Sequence, residues 1–150
     1  MKSVFNPADV ADLIKRIEKL QPDSPALWGT MNVAQMLAHC NVTYEIIYDD
    51  KHKAPNLFIR WYLRAFVKKF VVSETPYEKS IRTAPAFIVS DDKEFAAEKK
   101  RLIAYLKMTL NLGGRHFDGK KSISFGPLTE AEWNNMLYKH LDHHLGQFGV

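Results

Sequence analysis

Hydrophobic residues recur every three to four positions along most of the chain, and polar capping residues cut that pattern into segments. Val10, Leu13, Ile14, Ile17 and Leu20 follow Asn6 and Pro7, and the run ends at Pro22. An asparagine side chain accepts the first free amide hydrogens of a helix, and proline is preset for the first helical position, so a first helix is predicted there. Asn32 with Gln35 three residues later has the form of a capping box ahead of Val33, Met36, Leu37, Cys40, Tyr44 and Ile47, a second helix that fades at Asp49 and Asp50. Pro55 and Asn56 precede a third helical stretch, 57–72. Asp91 and Glu94 read as another capping box before Phe95, Leu102, Ile103, Leu106 and Leu110, ended by Gly113 and Gly114. Thr129 and Glu132 open a last helix carrying Trp133, Met136, Leu137, His140, His144 and Leu145, which stops near Gly146.

No segment has a convincing strand pattern. The apolar run at 84–90 is short and contains Pro85, which makes it a weak strand candidate, and 73–90 as a whole reads as irregular connection. The expectation is an all-α single domain spanning 1–150, with the first, second, fourth and last segments forming a four-helix bundle. Antiparallel neighbours need only a short loop. The long stretch between the second and fourth segments therefore predicts a crossover between parallel helices, carrying segment 57–72 along it, in an up-down-down-up order.

Composition narrows the class without deciding it. The chain has 150 residues, 46% hydrophobic and 25% charged, as in ordinary globular domains. A lone cysteine, Cys40, excludes an internal disulfide and any cysteine-cluster metal site, and it reads as a small core residue. The first twenty residues carry Asp9, Asp12, Lys15 and Arg16 where a signal peptide needs an unbroken apolar run, and no window reaches a membrane span. A cytoplasmic protein without membrane contact is expected. The net charge is +4, with signs interspersed. Only Arg60, Arg64 and Lys68 form a stripe, beside Trp61, Tyr62 and Phe66. It reads as the solvated face of an amphipathic helix, and no helix-turn-helix or similar nucleic-acid reader accompanies it.

The chemistry concentrates in histidines. His140 and His144 are four residues apart, which places both imidazoles on one helix face about 5–6 Å apart at Cβ, close enough to share a metal ion. They share that face with Trp133, Met136 and Leu137, so they point inward, whereas His143 is rotated about 100° away. His39 follows Met36 by three and is also directed at the core. It lies about 10 Å from the start of its helix, and His140 and His144 about 9 and 3 Å from the end of theirs. If those helices run antiparallel, as the crossover requires, the three fall at one level. Three imidazoles leave a coordination position open, the arrangement of a catalytic or substrate-binding ion, with zinc favoured by ligand type and nickel or iron as alternatives. No general base stands out: Glu45 and Tyr44 are nearest to His39. Asp142 and Asn135 are candidates for orienting an imidazole but sit off the ligand face. His52 and His116 read as surface residues in polar loops.

The strings WGTMNVAQMLAHC and FGPLTEAEWNNMLYKHLDHHLGQFGV resemble the DinB-like superfamily of four-helix bundles, closest to a branch catalogued as a domain of unknown function. The resemblance implies a metal triad at His39, His140 and His144, zinc or nickel at one end of the bundle, and a homodimer, for which exposed Trp61 and Tyr62 would suit an interface. In some relatives the metal activates a low-molecular-weight thiol toward a small electrophile or an isomerisation. The branch pattern of His-Pro before the last Phe-Gly is replaced here by Ser122 and Ile123 ahead of Ser124, Phe125 and Gly126. Two functions are open to such a chain: a metal-dependent enzyme that presents a thiol or water to a small-molecule substrate, or a non-catalytic metal-binding dimer or basic-surface adaptor.

Overall fold

The computed structural model describes residues 1–49, 51–80 and 85–150, and among them the chain is mostly helical. Helix α1 (Pro7–Lys19) begins where Asn6 Oδ1 accepts from the amides of Ala8 and Asp9, at 2.9 and 3.2 Å, and it buries Val10, Leu13 and Ile17. Helix α2 (Val33–Tyr48) carries the complete Asn32/Gln35 capping box. It is buried on nearly every side from Val33 to Glu45, as expected of a central helix. Helix α5 (Phe95–Leu112) packs on α1 and α2, and α7 (Glu130–Gln147) on α2 and α1. The Thr129/Glu132 capping box that opens α7 is present in full.

The core runs through these four helices. Leu13, Ile17, Met36, Leu37, Leu102, Leu106, Leu137 and Leu145 are all essentially inaccessible, and removing each such side chain from water contributes about 1.5–3 kcal/mol. Tyr105 of α5 lies between Tyr44 and Tyr48 of α2, with rings stacked at 5.6 and 5.8 Å. A second, smaller cluster gathers Phe117, Leu128, Trp133 and Val72.

Several expectations change. The Asp91/Glu94 box does not form: Glu94 is the N-cap of α5 but makes no side-chain cap, and Asp91 pairs with Lys93 at 2.7 Å instead. Gly113, at φ +70°, ends α5, but a short helix α6 (Gly114–Phe117) comes directly after it. A two-residue ribbon, β1 (Lys121–Ser122) against β2 (Gly126–Pro127), occupies the linker before α7. In the weak strand candidate, residues 85–87 form a 3₁₀ turn, while Ala84, like Asp50 at the end of α2, lies outside the described residues.

The third stretch is helical over the expected residues but irregular: α3 (Leu57–Tyr62), a π turn (Leu63–Val67) and α4 (Lys68–Val72). Of its basic stripe only Arg64 is exposed. Arg60 and Lys68 are partly buried, Lys68 pairs with Glu132 of α7 at 2.9 Å, and the aromatic side faces out. Packing on α7 decided which side turned inward. No helix among the described residues is long and apolar enough to cross a membrane.

Candidate metal centre

Because α2 is enclosed on all sides, its polar residues need partners within the protein. Those of one side point to α5, where Asn41 Nδ2 donates to the Glu98 carboxylate at 2.7 Å, and Glu45 receives Arg101 Nη1 and His52 Nε2, each at 2.8 Å. Glu45 is thus a buried ion-pair partner rather than a solvated residue or a free base, and His52 is half-buried against it. His39 points to the other side, toward α7. There the structure brings together the three histidines singled out by spacing: His39, His140 and His144 offer ring nitrogens that all lie within 4.8 Å of one another. Their ring centroids are 4.5–4.9 Å apart. His39 and His144 are buried, His140 partly so.

Each imidazole is held from behind through Nδ1. His39 Nδ1 donates to the Phe87 carbonyl at 2.8 Å, His144 Nδ1 to Gln147 Oε1 at 2.9 Å, and His140 Nδ1 lies 3.3 Å from the Thr43 hydroxyl. Gln147 is fixed in turn, because its amide donates to the Trp28 carbonyl at 2.7 Å. Fixing Nδ1 leaves Nε2 of each ring for the shared space, which is how ligating histidines are oriented. His39 Nε2 and His140 Nε2 are 2.9 Å apart. An ion about 2.0–2.1 Å from each nitrogen in tetrahedral geometry sets ligand separations of about 3.3 Å, so this pair needs to part by only a few tenths of an ångström.

Burial lowers the basicity of all three rings. Desolvation pushes His39 and His140 down, His140 well below the ordinary imidazole range, and His144 to about 3. Neighbouring imidazoles push His140 and His144 further down, while the Phe87 and Gln147 hydrogen bonds oppose the shift on His39 and His144. The rings are therefore neutral near pH 7, the form a metal requires.

His143 lies off this face, edge-on to Trp28 at 5.8 Å and to Tyr77 at 5.7 Å, and outside the cluster. His116 is exposed. Asp142 pairs with Arg16 at 2.6 Å and Asn135 donates to the Val72 carbonyl at 3.0 Å, so neither orients a ligand. Tyr44 is buried against Tyr105, with no hydrogen-bond partner for its hydroxyl among the described residues. Cys40 is fully buried beside Met36 Sδ at 3.8 Å, and burial pushes its thiol far up, which agrees with a core residue.

Thr43, Gln147 and Phe87 are supports that the histidine spacing alone does not reveal. Thr43 is four residues after His39 and Gln147 three after His144, spacings that share a helix face. Phe87 contributes a backbone carbonyl, for which a sequence carries no signal. Its ring also covers the cluster, 5.7 Å from His39 and 6.2 Å from His140.

Residues 5–149 match a family described as a protein of unknown function, DUF1569. The chain belongs to this family. No curated protein and no solved structure matches it. The DUF1569 match includes the histidine cluster, its three supports and Trp28.

Proposed function

We propose that this DUF1569 chain is a metal-dependent enzyme in which His39, His140 and His144 hold a divalent ion that activates a low-molecular-weight thiol or water for transfer to, or hydrolysis of, a small molecule. The observation that carries the reading is the Nδ1 set: three neutral imidazoles, each tied at the back to its own oxygen, with Nε2 turned to one place. Such a set fits zinc, with nickel or iron as alternatives. Bound there, the ion supplies Lewis acidity, lowering the pKa of a coordinated thiol or water. The chain's own part is to hold the rings, exclude bulk water with Phe87 and position the substrate. A cavity of about 470 Å³, with Phe87 rather than the histidines in its wall, has Pro85, Ile59, Leu63 and Ile123 as apolar lining and Lys53 as a cation without an ion pair among the described residues, Lys51 being paired with Asp49 at 2.9 Å. That lining suits a compact molecule with an apolar body and an anionic end.

Membership of the DinB-like superfamily, and its up-down-down-up order, belong to the same reading. They are supported by the pairing of α2 with α5 and α7 and of α1 with both, and by the long connection between α2 and α5. The test is elemental analysis of tag-free protein, then assay of the metal-loaded form against panels of thiols and electrophiles. A protein that takes up no divalent ion at micromolar concentration would sink the proposal.

A further inference from the structure

The segment from α3 to α4 turns its apolar side away from the protein. Leu57 is 81% exposed, Phe58 75%, Phe66 65% and Trp61 59%. At roughly 150–250 Å² for each large aromatic side chain, such exposure makes a contiguous patch of several hundred Å², at or beyond the largest usual on a monomer. The backbone is shaped to keep the patch continuous. Phe58, Tyr62, Phe66 and Phe70 recur every four residues, a row that drifts about 40° per step around a regular α-helix. The π turn at Leu63–Val67 takes up one extra residue and swings the residues beyond it back by about 100°. Phe58, Trp61, Tyr62 and Phe66 form one outward cluster, with Tyr62 and Phe66 rings 5.2 Å apart, Trp61 and Phe66 6.0 Å apart, and Phe58 and Trp61 6.1 Å apart, while Phe70 beyond the turn stays 42% exposed and packs on Tyr77 at 5.2 Å.

Helix α7 imposes this orientation from behind. Lys68 pairs with Glu132 at 2.9 Å, Asn135 Nδ2 donates to the Val72 carbonyl at 3.0 Å, and Lys139 Nζ donates to the carbonyls of Phe70 and Ser73 at 2.8 and 2.6 Å. The segment cannot roll over to bury its rings without breaking these bonds.

Charge selects what covers the rings. Residues 51–73 contain six lysines and arginines and no aspartate or glutamate. Lys53, Arg64 and Lys69 are exposed and make no ion pair among the described residues. A second copy paired through this segment would bring the same cations and no aspartate or glutamate from 51–73 to meet them. A nucleic acid would meet a hydrophobic row, with Arg60 and Lys68 withdrawn behind it. An anionic bilayer surface accepts both parts: rings, especially Trp and Tyr, at the headgroup boundary and cations at the phosphates.

We propose that the Leu57–Phe70 face docks the protein on anionic lipid surfaces, the segment lying in the plane of the headgroups with its aromatic row inserted and Lys53 and Lys69 at the lipid phosphates. This is attachment to one leaflet, distinct from spanning. It does not rest on the metal reading, although Lys53 also lines the cavity beside Phe87.

Sedimentation of the full, tag-free chain with vesicles tests it, comparing pure phosphatidylcholine with phosphatidylcholine containing about one-third phosphatidylglycerol. The expected result is at least about tenfold stronger binding to the anionic vesicles, weakening with salt, with a blue shift of tryptophan emission as Trp61 leaves water. Phe58→Asp with Trp61→Asp, and separately Lys53→Glu with Lys69→Glu, should each reduce binding by about tenfold or more. All four sites are exposed, and unchanged melting temperatures would show the fold intact. Vesicle binding that survives both double substitutions overturns the proposal. So does absence of vesicle binding together with a dimer that Phe58→Asp/Trp61→Asp splits into monomers, which would make the face a self-interface. Salt-sensitive binding to DNA without binding to vesicles overturns it equally.

Discussion

His39 Nε2 and His140 Nε2 face each other at 2.9 Å, and with the Phe87 carbonyl behind His39 that contact fixes the tautomers of both imidazoles. His39 must donate from Nδ1, because the Phe87 carbonyl can only accept. Its Nε2 is then an acceptor, so in metal-free protein His140 donates from Nε2 and its Nδ1 accepts from the Thr43 hydroxyl. To bind a metal, His140 must move its proton to Nδ1. The Thr43 hydroxyl can accept as readily as donate, so it serves both forms. Thr43 is therefore the pivot of the site.

Replacing Thr43 by valine should weaken divalent-ion affinity by about 10–100-fold, the usual cost of losing a support behind a ligand, while leaving the fold intact. Thr43→Ser, which keeps the hydroxyl, should restore most of the affinity. Calorimetric titration of tag-free protein would show whether valine and serine differ; equal affinities would remove Thr43 from the site.

His39→Ala, His140→Ala and His144→Ala should each abolish or severely weaken metal binding, and His143→Ala should leave it nearly intact. The three converge, whereas His143 faces Trp28 and Tyr77. Loss of the metal in His143→Ala with retention in His144→Ala would assign the site to another face of α7.

Metal-free protein should lose stability in acid with a defined sign. The folded-state pKa values of the three imidazoles lie below the unfolded value near 6.5. Between the two values the unfolded chain binds more protons, so stability rises with pH. Melting temperature should therefore be insensitive to these groups above pH 6.5. It should decline as pH falls from 6.5 toward about 3, the His144 value. A melting profile flat across that window would contradict the buried, neutral triad. With metal bound, the same protons compete for the ligands, and loading should release protons at acid pH.

Gly29 should resist substitution. It adopts φ +81°, and a Cβ there would come within 2.6 Å of Gln147 Nε2, the side chain that steadies His144. Gly29→Ala combines a left-handed backbone penalty of about 1–2 kcal/mol with displacement of Gln147. Denaturant titration and metal titration should both register the change, whereas Gly119→Ala, at φ +75° with open space around it, should register only in stability.

Cys40 should be inert to thiol reagents in the native protein and react only on unfolding, since the sulfur is fully buried and its thiol held protonated. Stoichiometric labelling without loss of helicity would show the core of α2 to be open.

The helices and the triad are legible in the sequence because both arise from periodicity: Asn6, Asn32 and Thr129 mark starts, and the spacing of His140 and His144 fixes a face. Other features depend on what lies opposite. Asp91 fits a cap by type, yet Lys93 offers it a nearer partner. The direction of Lys68 is settled by Glu132 on another helix, and the π turn at Leu63–Val67 has no residue signature. Phe87 holds His39 through a backbone atom that every residue possesses.

Helix α7 carries, on different faces, the candidate ligands His140 and His144 and the clamps Glu132, Asn135 and Lys139 that grip the outward aromatic segment. One added or deleted residue between Glu132 and His144 would rotate everything beyond it by about 100° and separate the two sets. Between these positions the chain therefore cannot tolerate a change of length, and length variation among related sequences should be confined to the connections outside α7.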